Sequence, residues 1–485
     1  MIIRFKIKNK LNIAWLKRDL RIADNELLSV CEEQPIPYQI IYIFEPKIIK
    51  SDNHSLRHLQ FIYHSIIDIN KTIEKYNHYI KCYYGEALDI FKEYNSLYNI
   101  KNIYAYQESG TLHSFRRDNK IRKFSLYNNI NFIEYEKDSV QRGISNRKDW
   151  DKKWFLKMNK KIKAVNFKKN IFESYIKKYS LPKPFLNQLV KYPDTFLKPG
   201  YENAIKLMKS FLKERSQNYN KNISKPYLSR KSCSRISPYL SWGNISSREV
   251  YQFFKEHKKI KGINSFITRL KWRSHFIQKL ETEYQISYLC ANREFENMEY
   301  SNNINYIKKW KNGETGIPLI DANMRCLKVT GWINFRMRAM LVSVFSHHFD
   351  CDWKLGVKHL AELFLDYEPG IHFSQFQMQS GTTGINTVRM YNPIKQSYDH
   401  DENGIFIKKW IPELKDVPIE YIHEPWNIPP LLNLLRNDSI YRYPCIDVVS
   451  AGKKARSKIW KFKARKEVKL ENKRILRLHT RNGVS

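Results

Sequence analysis

Short apolar runs alternate with stretches of helical periodicity over the first 140 residues, and this alternation limits the fold most strongly. The apolar runs are LNIAWL, PYQIIYIF, HYIKCYYG, NIYAY and INFIEYE. Runs of this length, rich in β-branched and aromatic residues, are typical of buried strands. Because strands separated by helices form parallel sheets, we predict an α/β domain with an open, mostly parallel sheet over residues 1–140.

The rest of the chain has a different pattern, and 485 residues are too many for one compact core. Residues 141–200 are irregular, with two tryptophans and a Lys-rich stretch that ends in prolines, so we predict an inter-domain connection there. Helical periodicity dominates residues 201–485, for example in AIKLMKSFLKER and NSFITRLKWRSHFIQKLE. We therefore predict an all-α second domain with a basic C-terminal end.

The segment from Gly313 to Leu414 has the composition of a cofactor pocket. It combines the carboxylates Asp366 and Glu368, the histidine His372, closely spaced aromatic residues and a Gly/Thr-rich turn. Loops with such groups often carry function. No GxGxxG or GxxxxGK[ST] pattern follows any predicted strand, which disfavours an ordinary dinucleotide or P-loop site.

The net charge favours a polyanionic partner. There are 85 Lys and Arg residues against 48 Asp and Glu residues, giving a formal charge of +37. Nucleic acid fits this excess better than a membrane, because no apolar run approaches the length of a membrane span. The N-terminal MIIRFKIKNK lacks the apolar core of a signal peptide. The basic last thirty or so residues are expected to be helical, either as a solvated face or as a polyanion contact.

The seven cysteines are scattered, odd in number and without a CxxC pair. This spacing favours reduced thiols in a cytoplasmic protein over disulfides, zinc ligands or an iron–sulfur cluster. We predict no metal site.

Five ordered motifs identify a family resemblance. They are WLKRDLRIADNELL, SCSRISPYLSWGNISSREV, RLKWRSHF, GETGIPLIDANMRCLKVTGWINFRMR, and the segment that contains YNPIKQS and FIKKWIPEL. Together they resemble the DNA photolyase/cryptochrome family of light-driven flavoproteins, as a divergent member and not of the iron–sulfur type. The resemblance spans nearly the whole chain. It implies an α/β antenna-type domain followed by an all-helical domain that holds FAD.

The resemblance also implies a set of FAD-binding residues. SCSRIS offers hydroxyls, backbone N–H groups and a guanidinium in a turn that opens a helix, which suits a diphosphate. Arg338 and Asp366 match the family's ion pair beside the flavin ring, and a purely structural salt bridge is the alternative. The complete implied set is Tyr219, Cys233 (where Thr is usual), Ser234, Arg235, Ile236, Ser237, Arg338, Asp366, Glu368 and His372.

Two departures from the family pattern lie close to the expected flavin. His372 stands where photolyases commonly have Asn facing flavin N5, so we hypothesise that it controls the flavin redox and protonation state, against a role as a packed core histidine. The three tryptophans of the usual electron pathway are matched by Phe376, Trp353 and Tyr300. Photoreduction is then impaired or rerouted through other aromatics, for which Trp332, Tyr391 and Trp410 are candidates.

The expected substrate pocket is also altered. Trp272 is kept where the family stacks an indole on a flipped pyrimidine pair, but Arg269 replaces a glutamate that accepts a hydrogen bond from the thymine N3–H. A guanidinium has only donors, so Arg269 addresses carbonyl oxygens or phosphate. The other matched positions are Phe335, Ala339 and Met378, which replace Asn, Met and Trp, and Arg336, which is retained as a phosphate or base contact.

A second, antenna chromophore is suggested by QESGT (residues 107–111) with Arg116, Arg117 and Asp118. The same residues are compatible with a simple helix cap. The chromophore's chemical identity stays open.

We therefore expect light-driven, FAD-dependent repair of pyrimidine dimers in DNA by electron transfer from excited reduced flavin. A cryptochrome-like photoreceptor that signals through its flavin state is the main alternative, and a FAD-binding, DNA-associated protein without photochemistry is a third. The expected partner is damaged DNA, single- or double-stranded, bound by a monomer. Trp272, Arg269 and His372 are the predicted catalytic residues, and Trp272, Arg336 and Met378 are the predicted DNA contacts.

Overall fold

The fold is described from a computed structural model that covers residues 8–51, 53–170, 172–430, 441 and 443–480. Most of the N-terminal segment discussed above and the last five residues of the basic end therefore lie outside the described residues. Within these ranges, no helix is long and apolar enough to cross a membrane. All seven cysteines are free thiols.

The N-terminal part is built on a parallel sheet of five strands, each in a predicted apolar run. The strand order is β3-β2-β1-β4-β5, and every neighbouring pair is parallel. Apolar side chains are buried on both faces, as the unbroken hydrophobic runs require. The strands are β1 (Lys10–Leu16), β2 (Tyr38–Phe44), β3 (Lys81–Tyr84), β4 (Asn99–Tyr106) and β5 (Asn131–Tyr135).

Helices connect the strands and cover the sheet. The predicted α/β architecture is confirmed. These helices are α1 (Glu26–Glu33), α2 (Pro46–Ser51), α3 (Leu56–Ile73), α4 (Ala87–Leu97) and α5 (Leu112–Tyr127).

The connection after the sheet is more ordered than its irregular sequence indicates. It contains α6 (Trp150–Met158) and α7 (Lys183–Val190). Trp150 and Trp154 are buried, and the Trp150 Nε1–H donates to Gln278 Oε1 over 3.2 Å. Sequence periodicity missed α6 because one buried stripe of two indoles, rather than a long apolar face, holds it in place.

The remainder of the described chain is helical, as predicted. Its longest helix, α13, pairs with α18, and the basic end forms α21 and α22. The helices are α8 (Tyr201–Lys213), α9 (Tyr219–Asn222), α10 (Pro226–Ser232), α11 (Ser237–Trp242), α12 (Ser247–Lys255), α13 (Ile263–Thr282), α14 (Ile304–Asn312), α15 (Pro318–Thr330), α16 (Phe335–Ser343), α17 (Trp353–Leu363), α18 (Pro369–Ser380), α19 (Pro393–His400), α20 (Ile405–Trp410), α21 (Val448–Lys463) and α22 (Lys466–His479).

Helices α13 and α18 approach each other closely at Gly370. A Cβ atom at this position would lie 2.4 Å from the Ile277 Cα atom, so only glycine fits. This close approach matters for function because α13 carries Trp272 and α18 carries His372 and Phe376.

A second close approach joins the sheet to the helical part. Gly243 has φ +80°, and a Cβ atom there would lie 2.3 Å from the Arg18 carbonyl oxygen. The Arg18 guanidinium packs 4.3 Å from the Trp242 ring and donates to the Tyr367 carbonyl over 2.9 Å. The WLKRDL motif after β1 therefore fixes the sheet against the loop that holds Asp366 and Glu368.

Candidate cofactor and substrate site

A bidentate ion pair lies at the centre of the candidate site. Arg338 Nη1 and Nη2 each donate to one oxygen of Asp366 over 2.9 Å. The Asp366 carboxylate is almost fully buried, and the Arg338 guanidinium packs 4.0 Å from the Phe364 ring. The predicted pair thus forms, and its planar geometry leaves further edges of both groups for another polar molecule.

A second buried ion pair anchors Glu368. Arg273 Nη2 donates to Glu368 Oε2 over 3.0 Å, and Arg273 Nη1 lies 2.8 Å from Asp138 Oδ2. Burial raises the pKa of Asp138, but Arg273 and Lys137 outweigh it and lower that pKa to about 2. Arg273 therefore joins the end of the α/β part to the start of α18.

The SCSRIS turn contains a cation, Arg235, whose hydrogen-bonding capacity is not fully used by the described residues. Arg235 has φ +61°, and its buried Nε has no hydrogen-bond partner among the described residues. Its guanidinium packs 4.1 Å from the Trp332 ring, and Arg230 packs 5.6 Å from the same ring. Burial, with the repulsion of Arg230, lowers the pKa of Arg235 to about 10, a cost that a bound anion would relieve.

The other residues of this turn surround Arg235. Ile236 is buried, Ser234 and Cys233 are nearly so, and Ser237 begins the six-residue helix α11. Burial raises the pKa of the Cys233 thiol to about 12, so the thiol is neutral and resembles the hydroxyl of Thr in size and charge. Tyr219 is buried nearby and packs against Phe211.

His372 lies on α18, one turn after Glu368. Its Nε2 is 2.9 Å from the Val357 carbonyl, which only accepts, so Nε2 carries the proton. Burial is the largest effect on the pKa of His372 and lowers it to about 4. His372 is therefore neutral at physiological pH, and its Nδ1 is a hydrogen-bond acceptor.

Comparison with known proteins explains this arrangement. Residues 12–164 match the family model of DNA photolyase, and residues 266–461 match that of the FAD binding domain of DNA photolyase. The chain belongs to the DNA photolyase/cryptochrome family. Its helical domain is accordingly an FAD-binding domain.

Individual relatives include both photolyases and cryptochromes. The deoxyribodipyrimidine photo-lyase of Buchnera aphidicola (from Acyrthosiphon pisum) is 28% identical, over 85% of this chain and 90% of its own. That of Alkalihalophilus pseudofirmus is 33% identical, but the match spans only 55% of its length and 53% of this chain. Cryptochrome-2 of Arabidopsis thaliana is 30% identical over 52% of this chain and 44% of its own.

A solved structure shares the two-domain fold. An archaeal photolyase from Sulfolobus tokodaii, described with two FAD molecules, superposes with a TM-score of 0.77 at 26% identity. The match covers 93% of this chain and 100% of that one. The likeness to photolyases and cryptochromes together does not choose between their activities.

The geometry fits FAD. The unpartnered Nε of Arg235 suits a diphosphate oxygen. The Arg338–Asp366 pair supplies both a donor and an acceptor edge, which a flavin ring requires.

The three residues that the resemblance matches to the photolyase electron pathway, Phe376, Trp353 and Tyr300, have different surroundings. Phe376 packs 5.6 Å from the His372 ring and 6.3 Å from the Trp353 ring, measured between ring centroids. Trp353 is fully buried, and its Nε1–H donates to Cys290 Sγ over 3.3 Å. Tyr300 has the Lys458 ammonium 5.0 Å from its ring centroid, and this positive charge opposes removal of an electron from the ring.

The alternative aromatic donors meet the same obstacle. Two guanidinium groups pack on Trp332, Arg336 lies 5.4 Å from the Tyr391 ring, and Lys409 lies 5.8 Å from the Trp410 ring. A cation over an aromatic face stabilises the neutral ring and disfavours its oxidation. None of the three alternatives is therefore placed as a better electron donor than Trp353.

The candidate substrate surface centres on Trp272. This residue is 48% exposed on α13, a large fraction for an indole, and packs against Phe276 with ring centroids 5.9 Å apart. Arg269, one turn earlier, is exposed and lies 5.9 Å from the Trp272 ring. The sequence-predicted stacking residue and its cationic neighbour therefore share one face of α13.

The other predicted pocket residues differ in their exposure to solvent. Phe335 is 51% exposed at the start of α16, and Met378 is partly exposed on α18. Ala339 is buried, so it only removes volume where the family has Met. Arg336 is half-buried against Tyr391.

The predicted antenna residues form a charged cluster at the carboxyl ends of β1, β2 and β4. Arg117 bonds to Glu45 over 3.0 Å, to Glu108 over 2.7 Å and to Asp118 over 2.9 Å. Thr111 precedes α5, but its hydroxyl is buried without a hydrogen bond among the described residues, so it does not cap the helix. Arg116 is exposed and outside the cluster. The adjoining recess has a free volume of only about 50 Å³.

Sequence reasoning missed several residues that organise the site. Arg273 follows Trp272 directly in the quoted RLKWRSHF motif, and Arg18 lies in WLKRDL, so both motifs contained the signal. The sequence gives no signal for Arg230, because a basic residue a few positions before Arg235 resembles any surface cation. Only the fold shows that both guanidinium groups pack on Trp332.

Proposed function

We propose that this protein uses light and FAD to repair pyrimidine dimers in DNA. One observation carries the proposal: two consecutive residues of α13, whose side chains leave the helix about 100° apart, have different surroundings. Trp272 is 48% exposed, whereas Arg273 is buried and bonded to Glu368 in the cofactor site. A base stacked on Trp272 would thus lie one helix away from the cofactor-binding residues.

The residues proposed to hold FAD form two groups. The SCSRIS turn, with Arg235 as its cation and Tyr219 close by, would bind the diphosphate. Arg338, Asp366, Glu368 and His372 would bind the flavin and ribityl end. When bound in its reduced form, FAD supplies after light absorption the electron that splits a pyrimidine dimer and afterwards accepts it back.

The protein's own contribution is position, charge and exclusion of water. The Arg338–Asp366 and Arg273–Glu368 pairs are already satisfied and rigid, so little reorganisation is needed when a cofactor binds. Neutral His372 offers Nδ1 as an acceptor without adding a charge. Both features favour a fixed environment around the reacting groups.

The proposed substrate contacts combine stacking with positive charge. Trp272 would stack on an extruded base, and Arg269 would donate to a pyrimidine carbonyl or a phosphate. Arg336 would bind a further phosphate, with the exposed Phe335 and Met378 as apolar walls. The net charge of +37 supports DNA as the partner.

A substitution at Trp272 tests this assignment. Trp272→Leu should lower repair of a dimer-bearing strand at limiting DNA by at least about fivefold, because base stacking contributes about 1–3 kcal/mol. Trp272→Phe should retain most activity. Phe155→Leu, at a 41% exposed aromatic on α6, is the control and should match wild type. Equal repair by Trp272→Leu and wild type would refute the assignment.

A photoreceptor is the second candidate function, and the interrupted electron pathway favours it. Phe376 and the cation over Tyr300 would slow the return of the flavin to its reduced form. A flavin redox state that changes slowly is suited to signalling. If the chemically reduced protein binds dimer-bearing DNA but leaves the lesions intact under light, the photoreceptor function is supported instead.

The domain organisation and a second chromophore complete the proposal. We assign residues 1–140 to an antenna-type domain, 141–200 to the connection and 201–485 to the FAD-binding domain. The recess beside Arg117 and Trp242 is the proposed antenna position. Because its free volume is about 50 Å³, a chromophore there would need side chains such as Arg18 or His54 to move.

A further inference from the structure

A second basic pocket shares Arg336 with the candidate substrate surface but is otherwise lined by residues not assigned to that surface. It has a free volume of about 370 Å³, within the usual range for ligand sites. Three separate segments supply its walls: the start of α16, the loop before α19 and helix α21. The lining residues are Arg336, Val388, Arg389, Met390, Tyr391, Arg456 and Trp460.

The charge of this pocket is not neutralised within the described part of the chain. Arg336, Arg389 and Arg456 each come from a different segment, and the structure places no carboxylate within salt-bridge distance of them among residues it describes. Helix α21 itself, VVSAGKKARSKIWKFK, contains no acidic residue. Three converging guanidinium groups without an anion indicate a site for phosphate groups.

The pocket walls are firmly held. Ser343 Oγ donates to the Arg389 carbonyl over 3.4 Å and accepts from the Tyr391 N–H over 3.1 Å. On α21, Ile459 and Phe462 are buried, and Lys458 bonds to Asp350 over 2.5 Å. The side chains that face the pocket are therefore presented by a rigid frame.

An exposed indole stands beside the arginines. Trp460 is 50% exposed although its neighbour Ile459 is buried, and it lies one turn after Arg456 on the same face of α21. An aromatic face next to guanidinium groups is how proteins bind an unpaired nucleic-acid strand, with a base stacked and the backbone neutralised. Bases within a duplex are already stacked and cannot use such a surface.

We propose that this pocket binds a single DNA strand, with one unpaired base stacked on Trp460 and the flanking phosphates on Arg389 and Arg456. The inference rests on the proposed function for the identity of the polyanion. It adds a strand preference, because Arg336 lies both in this pocket and beside the exposed Phe335. A strand that leaves the Trp272 surface would thus continue toward α21.

The test is dark binding of an undamaged, fluorescein-labelled oligothymidylate to the FAD-loaded protein, measured by anisotropy over a range of salt concentrations. Trp460→Leu should weaken binding about fivefold or more, and Trp460→Phe should restore most of it. Arg389→Gln combined with Arg456→Gln should lower the slope of log affinity against log salt by about 1.4, or about 0.7 for each phosphate that the protein no longer neutralises. Arg336 stays intact because it belongs to the proposed substrate site.

The control has the same loss of charge on the neighbouring helix. Lys469→Gln combined with Lys473→Gln removes two exposed cations of α22 and should change the affinity less than the arginine pair does. Unchanged binding by Trp460→Leu would overturn the inference. An equal loss of affinity for a blunt duplex in Trp460→Leu would also overturn it. So would displacement of the bound single strand by equimolar thymidine monophosphate. Because no light or lesion is involved, a failure of the repair function would not affect this result.

Discussion

At the scale of single residues, the structure shows the surroundings and charge state of a residue that departs from the family pattern. His372 is the residue that the resemblance matches to an Asn, and the structure makes it a neutral acceptor with a fixed tautomer. It therefore resembles the amide it replaces in charge. The sequence alone left a cationic His372 open, because the burial that lowers its pKa comes from α17 and α18 together.

We expect Phe376 to be the residue that most limits photoreduction. Phe376→Trp should raise the rate of flavin photoreduction at least about tenfold, equivalent to about 1.4 kcal/mol of barrier, because an indole is much easier to oxidise. The measurement is the loss of oxidised-flavin absorbance under blue light with an external thiol. The gain should disappear when Trp353→Phe is added to the variant.

No gain in Phe376→Trp would show that Trp353 is not the onward donor. Because a larger ring in a packed core costs about 1–3 kcal/mol, the melting temperature and flavin content of each variant must be compared first.

At the scale of elements, the α13–α18 pair positions the substrate surface relative to the cofactor site. Trp272 and Arg273 lie on α13, and Glu368, His372 and Phe376 lie at or in α18. The close approach at Gly370 sets their separation. This pair is the element on which both proposed binding surfaces depend.

Gly370→Ala should therefore destabilise the protein although alanine favours helices. Its Cβ atom would lie 2.4 Å from the Ile277 Cα atom, and relief of this overlap should cost about 1–3 kcal/mol of unfolding free energy. Urea unfolding and flavin retention measure the effect. Gly452→Ala on α21 is the control, since its nearest atom is a side-chain nitrogen 3.2 Å away, and it should be close to neutral.

Most elements were predictable from the sequence, and the exceptions have clear causes. The five strands were predictable because parallel strands are unbroken apolar runs, and the long helices because their apolar stripes repeat. Helix α6 depends on two buried tryptophans rather than on periodicity. Helical periodicity continues through NFRMRAMLVSVFSHHF, but α16 ends at Ser343 and a wider π turn, Val344–His348, follows.

At the scale of the whole molecule, the two domains meet through buried polar groups. His58 of α3 is fully buried, accepts from the Ser55 N–H over 3.1 Å, and donates from Nε2 to the Phe364 carbonyl over 2.8 Å. Pairings such as Arg18 with Tyr367 join residues hundreds of positions apart. The sequence motifs include Arg18 but not His58, and neither contact could be predicted because only the fold brings these distant residues together.

This junction predicts a pH dependence of stability. Burial lowers the pKa of His58 well below 6.5, so the unfolded chain binds a proton there before the folded chain does. Its contribution is complete above pH 6.5 and is lost as pH falls, by about 1.4 kcal/mol per pH unit. For His58→Gln, the unfolding free energy measured in urea between pH 7.5 and 5 should depend less steeply on pH than in wild type. The difference in slope should correspond to at most one bound proton. An unchanged slope would contradict the junction's dependence on neutral His58.

The central claim is that light drives repair at Trp272 through the adjoining FAD site. Its most direct measurement uses the purified protein with chemically reduced flavin and a dimer-bearing DNA strand, and counts lesions after illumination and after an equal dark period. Chemical reduction bypasses the interrupted electron pathway at Phe376. We expect loss of lesions in the light only, with single strands repaired at least as well as duplex. Lesions that persist in the light on DNA the protein demonstrably binds would contradict it.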